Sequence, residues 1–506
     1  MKKIVFIAVV AILSISAQAQ NMFDYYGLTT PSINGTARYM AMGGSFGALG
    51  GDASAIADNP AVLGIFRSNE LSFSLNVNPI HTRSAWNTYS IGSDKTKVIA
   101  NNLTWVLNFP TYRERGFIHS NLSFSFNRLK NFGRNGYIKN SNSQYSLTSL
   151  IANMTNGLTE DKLKFVKNTY DPYDNPDVGY LSVLGYEGYL IDPIASGSDQ
   201  WKPAFGGDIS SSYKFTESGY IDEYNFTYSG NINDVLYFGT GLSIQNYTRR
   251  VESYYEEFFS DGNNFSLHNA TDISGTGVNL DLGIIARLSP TVRLGASFST
   301  PTWYSFSKVQ ASDIVSTKMS AVHKTPTYET LYGYTSPLRV QLSAGFVIKQ
   351  HTAINIDYIF MGNKIQRVKN SSEKFLAKSE FDTENNNLRK YTLNTHTIRV
   401  GAETKISKHT KLRLGGGYMT APIASGAQKD FNLNTTLTAM EYFVNNPQWY
   451  GSCGIGFQFS NFFLDFAYVY NKQEQDFVPF TTDDSSFKGA MTNHNHSIVT
   501  SIVLKY

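Results

Sequence analysis

The sequence predicts an all-β protein, a 14-stranded antiparallel transmembrane β-barrel that holds a small N-terminal helical hatch (plug) in its lumen. Three observations predict this class. The chain begins with an export signal, many of its segments alternate apolar and polar residues, and the links between these segments are alternately short and long. These features divide the chain into a signal peptide over 1–19, a hatch over 20–68 and a barrel over 69–506.

The first residues have the features of a secretory signal peptide. Lys2 and Lys3 precede an apolar run over 4–15, and the A-Q-A sequence at 17–19 offers a cleavage site. The run is shorter than the roughly 20 residues that a transmembrane helix needs. Because the only cysteine, Cys453, is far from the cleavage site, we expect neither a lipid-anchored N-terminus nor an internal disulfide.

The composition excludes several classes of function. Removal of the signal peptide leaves 41 Lys and Arg against 40 Asp and Glu, a net charge of +1. Such a balance offers no footprint for nucleic acid or for an acidic substrate. The full sequence has 34 Phe, 32 Tyr and 40 Gly but only 16% charged residues, which is typical of a protein with many strands. A mean hydropathy of −0.26 also fits a soluble secreted β-protein, so the periodicity has to decide.

Alternation with a period of two predicts the strands. In 71–78, Leu71, Phe73, Leu75 and Val77 form one face, and serine and asparagine form the other. Several runs are longer than usual strands, and a tilted strand needs about 9–11 residues to cross a bilayer. Fourteen runs alternate in this way: 70–79, 99–109, 119–129, 220–230, 234–247, 275–288, 290–301, 336–349, 351–361, 392–406, 410–420, 447–459, 461–471 and 494–506.

The links between the runs have the rhythm of a barrel in the outer membrane of a Gram-negative cell. Short links at 231–233, 289, 350, 407–410 and 460–461 alternate with long ones. Short periplasmic turns and long outer loops are typical of such barrels. A soluble β-sandwich also alternates, but the number and length of the runs favour the barrel. The long links are expected over 130–219, 248–274, 302–335, 362–391, 421–446 and 472–493.

The last run ends in an aromatic residue. Ile498, Ile502, Leu504 and the terminal Tyr506 lie on one face of the predicted strand. Because outer-membrane barrels usually end in such a strand, we expect the barrel assembly machinery to recognise the protein through it. The even number of strands predicts that both chain ends lie on the periplasmic side.

Charged residues on the polar faces of the strands are expected to point into the lumen, because charges that face lipid are costly. They would pair with one another or with a plug, and structural ion pairs are the plainer interpretation than ligand contacts. Trp105, Trp303 and Trp449 are candidates for the interface girdles. The candidate lumen charges are Asp281, Arg293, Arg339, Asp357, Arg399 and Asp465, with Arg287, Glu403 and Arg413 on the same faces.

The residues between the signal peptide and the first strand do not alternate. Asp52 can cap a short helix over 53–57, and Asn59 can cap a second helix that has Pro60 at its first position and ends at Gly64. Each piece has one or two turns, which are not stable alone in water. Such pieces need a container, and the lumen of a fourteen-stranded barrel needs a plug.

The same segment carries a resemblance. The stretch 35–64, GTARYMAMGGSFGALGGDASAIADNPAVLG, resembles the N-terminal hatch of the FadL/TodX family of outer-membrane transporters of hydrophobic compounds. Asn59, Pro60 and Ala61 match the Asn-Pro-Ala signature of that hatch. The barrels of the family have fourteen strands, the number that alternation predicts here.

The resemblance implies passive uptake of a hydrophobic small molecule such as a long-chain fatty acid. Outer loops would collect the ligand, a lumenal pocket above the hatch would hold it, and a shift of the hatch would release it. In studied members a kinked strand opens the wall sideways into the bilayer. The implied hatch or gate residues are Asp52, Asn59, Pro60 and Ala61, which could equally hold the plug shut without touching ligand. A scaffold barrel of a protein secretion system and haem-related uptake stay open as alternatives.

The longest link contains a candidate ligand-capture segment. Leu147, Leu150, Ile151 and Met154 have the spacing of one helix face. They predict either an apolar groove that captures ligand at the surface or a helix that packs its apolar face onto neighbouring loops.

The remaining motifs point to no specific chemistry. The sequence DPYDNPD at 171–177 could offer oxygens to Ca²⁺, but it lacks the spacing of a calcium loop. His494 and His496 share a strand face with no third metal or haem ligand in view. We therefore expect no enzyme, no cofactor and no metal site. The expected partners are the outer-membrane bilayer, a hydrophobic ligand and the barrel assembly machinery, with no nucleic acid.

Overall fold

Fourteen antiparallel strands form a closed wall in the computed structural model, which describes residues 22–30, 32–111, 113–349, 351–370, 381–429 and 435–506. The predicted signal peptide lies outside the described residues. The wall strands are β1 Glu70–Trp86, β2 Tyr89–Pro110, β3 Phe117–Asn131 with Arg134–Ser143, β4 Ile209–Ile232, β5 Leu236–Phe259, β6 Asn264–Arg287, β7 Val292–Ser299 with Trp303–Ser316, β8 Tyr328–Thr335 with Leu338–Ile348, β9 Thr352–Gly362 with Arg367–Asn370, β10 Thr395–Lys405, β11 Thr410–Met419, β12 Tyr442–Gln458, β13 Phe462–Val478 and β14 Gly489–Lys505.

The wall closes because β14 pairs with β1, while every other strand pairs with its neighbours along the chain. Glu70 lies opposite Lys505 at one end of the closing ladder, and Ala85 lies opposite Ala490 at the other. The wall therefore begins and ends at the same end, which we call the lower end. Connections at the lower end are short, and the long ones lie at the upper end, as the sequence predicts.

Each of the fourteen predicted runs coincides with a different wall strand. Several runs pass a strand end by one to three residues, as at 392–406 against Thr395–Lys405, and several strands are longer than predicted. The expected long link 248–274 is mostly strand, because β5 runs to Phe259 and β6 begins at Asn264. At this level polar side chains such as Arg250 point outward beside exposed aromatic ones such as Tyr254. The inward face also mixes the two kinds, with Tyr255 near Glu257. The alternation keeps its period, but neither face is uniformly apolar, so it no longer resembles a lipid-facing strand.

The lower part of the wall has an apolar outer face and a polar inner face. On β1, Leu71 and Phe73 are exposed on the outside, whereas Ser72 and Ser74 are buried on the inside. An outer apolar band of this kind faces lipid in transmembrane barrels. Cys453 is exposed on the outer side of β12.

Short helices fill the barrel and cover its upper end. The α-helices are α1 Tyr26–Thr29, α2 Ala37–Ala41, α3 Leu147–Thr155, α4 Tyr180–Glu187 and α5 Asp382–Tyr391. The 3-10 helices are Met22–Tyr25, Ser54–Ile56, Pro60–Ile65, Glu160–Lys162, Pro172–Asp174 and Asn363–Ile365. A small hairpin pairs Ile191–Pro193 with Trp201–Pro203, and His323–Lys324 pairs with the upper end of β7. Among the described ranges, no helix is long and apolar enough to cross a membrane.

Three apolar clusters occupy the interior at successive levels. The lower cluster surrounds α2 and the 3-10 helix Pro60–Ile65. The middle cluster is rich in tyrosine and phenylalanine and includes Phe23 and Tyr25. The upper cluster surrounds α3 and α4. The interior of the barrel is therefore packed at three levels, and each level uses a different part of the chain.

Candidate functional site

The N-terminal segment, residues 34–66, lies inside the lower barrel and is buried over most of its length. Its 3-10 helix Pro60–Ile65 packs on β4, β5 and β6, and α2 packs on β11 to β14. The Ala37 amide donates a hydrogen bond to the Ser501 hydroxyl of β14 at 2.6 Å. The segment therefore bridges the lumen between two separate parts of the wall.

Polar side chains begin the short helices of the segment. The Asn59 carboxamide oxygen accepts a hydrogen bond from the Ala61 amide at 3.1 Å, and its nitrogen donates to the Gly47 carbonyl at 2.8 Å. The predicted cap at Asn59, with Pro60 first in the helix, is thus present. The helix is 3-10 rather than α, and it continues one residue past Gly64.

The predicted helix over 53–57 is shorter than expected. It is a single 3-10 turn, Ser54–Ile56, and Asp52 lies outside its cap position. The Asp52 carboxylate instead joins two parts of the segment, since it accepts hydrogen bonds from the Thr36 hydroxyl at 2.8 Å and from the Ser54 amide at 3.0 Å.

Glycines of the wall let the segment approach the strand backbones directly. A Cβ at Gly239 of β5 would overlap Pro60, and a Cβ at Gly283 of β6 would overlap the Asn59 carboxamide oxygen. On the other side of the lumen, a Cβ at Gly415 of β11 would overlap the backbone at Gly43. These wall glycines form a seat for the segment that strand periodicity does not reveal.

Asp58 holds the segment to the wall by two ion pairs. Its carboxylate lies 2.6 Å from the Arg339 guanidinium of β8 and 3.1 Å from the Arg399 guanidinium of β10. The Tyr39 hydroxyl donates to the same carboxylate. Burial alone would raise the pKa of Asp58, but the charges of the two arginines outweigh burial and hold the pKa below its usual value. Asp58 therefore stays ionised inside the barrel.

A second chain of charges runs below the first. Arg38 of α2 pairs with Glu403 of β10 at 2.9 Å, Glu403 pairs with Arg413 of β11 at 2.6 Å, and Arg413 reaches Asp465 of β13 at 2.5 Å. Arg413 and Asp465, which were predicted to line the lumen, are thus connected to the segment through Glu403, the residue that pairs with Arg38. Sequence reasoning placed these charges inside but did not identify Arg38 or Asp58 as their partners.

The other predicted lumen charges divide into two groups. Arg293 donates to the Leu49 carbonyl at 2.6 Å, and Asp357 accepts from the Phe46 amide at 3.1 Å, so both hold the segment. Asp281 is buried beside Ser243 at 2.9 Å and does not bind the segment among the contacts of the described residues. Arg287 lies opposite Arg293 near the lower end of the wall.

A cavity of about 180 Å³ lies directly above the segment. Asp58, Arg339 and Arg399 form part of its lining, together with Asp281 and Tyr304 of the wall. The same ion pairs that hold the segment therefore border the space above it. A molecule that fills this cavity lies in contact with the groups that hold the segment in place.

Residues 22–30 occupy the lumen above this cavity. The Tyr25 ring stacks on the Tyr334 ring with 4.3 Å between centroids, and the Asp24 carboxylate lies 2.8 Å from the Lys308 ammonium. Lys130 of β3 donates to the Thr30 carbonyl at 2.8 Å. The middle cluster is thus an aromatic chamber that the start of the described chain fills.

The predicted ligand-capture groove is wrong. Leu147, Ile151 and Met154 are at most 5% exposed, and Leu150 packs against the same upper cluster. The Ser146 side chain caps α3, and the buried Glu257 carboxylate accepts a hydrogen bond from the Leu147 amide at 2.8 Å. The apolar face of α3 is therefore covered, because the long strand extensions carry aromatic side chains to its level. The alternative interpretation, a helix packed onto its surroundings, describes this segment.

The other candidate sites take ordinary structural roles. The Asp171 side chain accepts from the Tyr173 amide at 2.9 Å and begins a 3-10 turn. His494 and His496 face outward and hydrogen-bond to the hydroxyls of Tyr470 and Tyr468, each at 2.7 Å. In the described part of the chain, no group of three or more potential ligands could hold a metal ion. The three candidate girdle residues Trp105, Trp303 and Trp449 are each about half exposed on the outer wall.

Solved structures have the same architecture at low sequence identity. The Pseudomonas putida toluene transporter TodX aligns with a TM-score of 0.51 and 12% identity, covering 94% of this chain and 99% of that chain. A Pseudomonas aeruginosa FadL homologue gives 0.49 and 12%, with 94% and 99% covered. The Ralstonia pickettii toluene transporter TbuX gives 0.48 and 13%, with 94% and 98% covered. No protein-family model and no curated protein matches the chain.

The wall and this likeness define the class of protein: a closed 14-stranded antiparallel β-barrel of the transmembrane type. Its particular fold is that of TodX, as the sequence resemblance implies.

Proposed function

We propose that this protein is an outer-membrane channel for the passive uptake of hydrophobic small molecules, with long-chain fatty acids as its ligands. The observation that carries the proposal is the N-terminal segment. It bridges the lumen next to a cavity and is held to the wall by the ion pairs of Asp58 with Arg339 and Arg399. Contacts of this kind can break and re-form, so the segment can act as a gate.

The shared fold supports the same function. TodX carries the name of a toluene transporter, and its barrel aligns with almost the whole of this chain. Transport by such a barrel needs no catalytic step, which supports a channel rather than an enzyme. The hydrophobic character of the ligand also agrees with the aromatic middle cluster, which lies above the cavity along the lumen axis.

We further propose that ligand leaves through the wall between β2 and β3. In the described residues these strands pair from Pro110 and His119 up to Asn102 and Asn127. Above this level β2 continues paired with β1, whereas the second segment of β3, Arg134–Ser143, pairs with β4. The ladder of backbone hydrogen bonds between β2 and β3 is therefore interrupted in the upper half of the wall, a break that we call the parting, while the two strands stay close to each other there.

Two lysines of β2 cross the parting. Lys95 donates to the Asn135 side chain at 3.0 Å, and Lys97 donates to the Asn131 side chain at 3.4 Å. Side-chain hydrogen bonds are easier to separate than a ladder of backbone bonds, because each can be replaced by water or by a ligand group. This parting is the sideways opening that the resemblance implies.

The test is uptake by cells that lack the gene. Such cells, complemented with the wild-type chain or with an empty vector, are given labelled oleate, labelled toluene and a hydrophilic sugar. Oleate uptake should depend on the wild-type chain, and sugar uptake should not. Uptake of toluene but not oleate would reassign the ligand. Equal uptake of all three with and without the chain would reject the channel.

A further inference from the structure

A row of basic side chains lies on the outside of the wall, just above its apolar band. On β1 the outward residues from Leu71 to Pro79 are apolar, and the outward positions above them are His81 and Arg83. On β14 the outward Ile498 is followed by His496 and His494. The change from apolar to basic residues therefore occurs at one level on adjacent strands.

Strand register places the basic residues side by side. Lys472 of β13 lies opposite His494 of β14, and His494 lies opposite His81 of β1. The rings of His81 and His494 are 6.2 Å apart between centroids. Arg83 is the next outward residue of β1, and its charge and that of Lys472 both act on His494. We refer to Lys472, His494, His81 and Arg83 as the basic row.

Aromatic side chains mark the membrane level of the basic row. Tyr470 hydrogen-bonds to His494 at 2.7 Å, and Trp449 packs on Tyr470 with 5.6 Å between centroids. Tyrosine and tryptophan on the outer face of a barrel lie at the boundary between lipid chains and headgroups. Because the long connections are at the upper end, this boundary belongs to the outer leaflet. The basic row thus lies at the level of the outer-leaflet headgroups.

Arg83 differs from Lys472 and His81, each of which has a carboxylate partner within the protein. Asp94 contacts His81, and Glu474 lies 2.6 Å from Lys472. The Arg83 side chain donates to the Ser90 hydroxyl at 3.0 Å, and among the described residues no carboxylate lies within ion-pair distance of Arg83. The remaining donors of its planar guanidinium are exposed, and this group matches the geometry of a phosphate.

We propose that the basic row binds a phosphate group of an outer-leaflet lipid headgroup. Arg83 and Lys472 supply charged donors, and the two histidine rings supply further polar contacts between them. Basic residues at a membrane surface attract anionic headgroups in this way. The site lies outside the lumen, so it is independent of the proposed transport route and fixes the height of the barrel in the membrane.

The chain offers a matched control. Arg250 is an outward residue of β5 at a similar distance from the lower end of its strand. Two carboxylates surround it, Glu252 at 2.6 Å and Asp272 at 3.8 Å. Its charge is balanced within the protein, and it should therefore not bind a phosphate.

The experiment is native mass spectrometry of the detergent-purified full-length protein titrated with lipid A that carries two phosphates. The double variant Arg83→Gln/Lys472→Gln should weaken binding by about tenfold, because it removes charged donors. Glu474→Gln should strengthen binding, because it frees Lys472, and Arg250→Gln should leave binding unchanged. Removal of the lipid phosphates should have the effect of the double variant.

Three results would overturn the proposal. The first is equal binding of lipid A and its dephosphorylated form by the wild-type chain. The second is an equal loss of binding in the Arg250→Gln variant and in the double variant. The third is complete displacement of lipid A by millimolar inorganic phosphate, which would assign the row to free phosphate. Circular dichroism of each variant checks that the barrel is intact.

Discussion

The carboxamide oxygen of Asn59 lies against Gly283 of β6 so closely that a Cβ at position 283 would overlap it. The same oxygen accepts the hydrogen bond from the Ala61 amide that begins the helix. One contact between the segment and the wall therefore depends on the absence of a side chain in the wall.

Gly283→Ala should displace the segment without unfolding the wall. The added methyl group requires Asn59 to move, and overpacking of this kind costs about 1–3 kcal/mol. The expected result is an increase in the conductance of the purified protein in planar bilayers. Gly451→Ala is the matched control, because a Cβ at Gly451 of β12 meets nothing within 4 Å. Identical conductance in both variants would show that this contact does not hold the gate.

Asn59→Ala should also open the lumen. The substitution removes an N-cap, worth about 1 kcal/mol, and the hydrogen bond to the Gly47 carbonyl. Asn59→Ser keeps a capping oxygen and should have a smaller effect. Uptake of a large antibiotic by cells measures permeability, and the heat-dependent shift in gel mobility measures barrel assembly. Loss of assembly in Asn59→Ala would make this residue structural and would remove it as a gate.

Asp58→Asn should have a larger effect than the loss of the cap. It leaves Arg339 and Arg399 without their shared carboxylate, and breaking a buried ion pair costs about 3–5 kcal/mol. We expect a higher conductance than in Asn59→Ala. A double-mutant cycle with Arg399→Gln measures the coupling between the two residues. Strictly additive effects in that cycle would contradict the ion pair.

The Asp58 ion pairs should make the gate sensitive to acid. The pKa of Asp58 in the folded protein is lower than its usual value of about 3.9. The stabilisation is therefore fully present above that value and is lost as the pH falls through the lowered pKa. Wild-type conductance should rise only below about pH 4. The Asp58→Asn variant should not show this step, and a step of equal size in both would assign it to another group.

Glu257→Gln should loosen the upper end of the barrel and leave the gate closed. The Glu257 carboxylate accepts hydrogen bonds from the Leu147 amide at 2.8 Å and from the Ser146 hydroxyl at 2.5 Å. The neutral side chain can accept only one of these bonds well, a loss of about 1–2 kcal/mol. Hydrogen exchange over 146–155 should accelerate. Glu256 is on the same strand as Glu257, and it accepts a hydrogen bond from Ser212 of β4. The control variant Glu256→Gln should leave the exchange over 146–155 unchanged.

Much of the wall could be predicted because its physics is local. A strand between lipid and a wet lumen must alternate, so residues such as Leu71 and Ser72 reveal their faces by position alone. The cap at Asn59 could also be predicted, because asparagine is a preferred N-cap residue and proline is preferred at the first helical position. The prediction that charged strand residues point into the lumen followed from the free-energy cost of placing a charge against lipid.

The rest depends on contacts between distant residues. Asp58 meets Arg339 and Arg399 across hundreds of residues, and no spacing rule connects them. The burial of Ile151 depends on strand extensions that the sequence shows as polar links. Gly239 and Gly283 resemble ordinary small residues of a strand until the segment lies against them.

The bond from the Ala37 amide to Ser501 also bears on the order of assembly. The two residues are 464 positions apart, and Ser501 belongs to the final strand that pairs with β1. The contacts of the segment are therefore incomplete until β14 has been made. A barrel that lacks β14 lacks both the strand that closes the wall and one of the hydrogen bonds that hold the segment, so closure of the wall and fixation of the segment depend on the same strand.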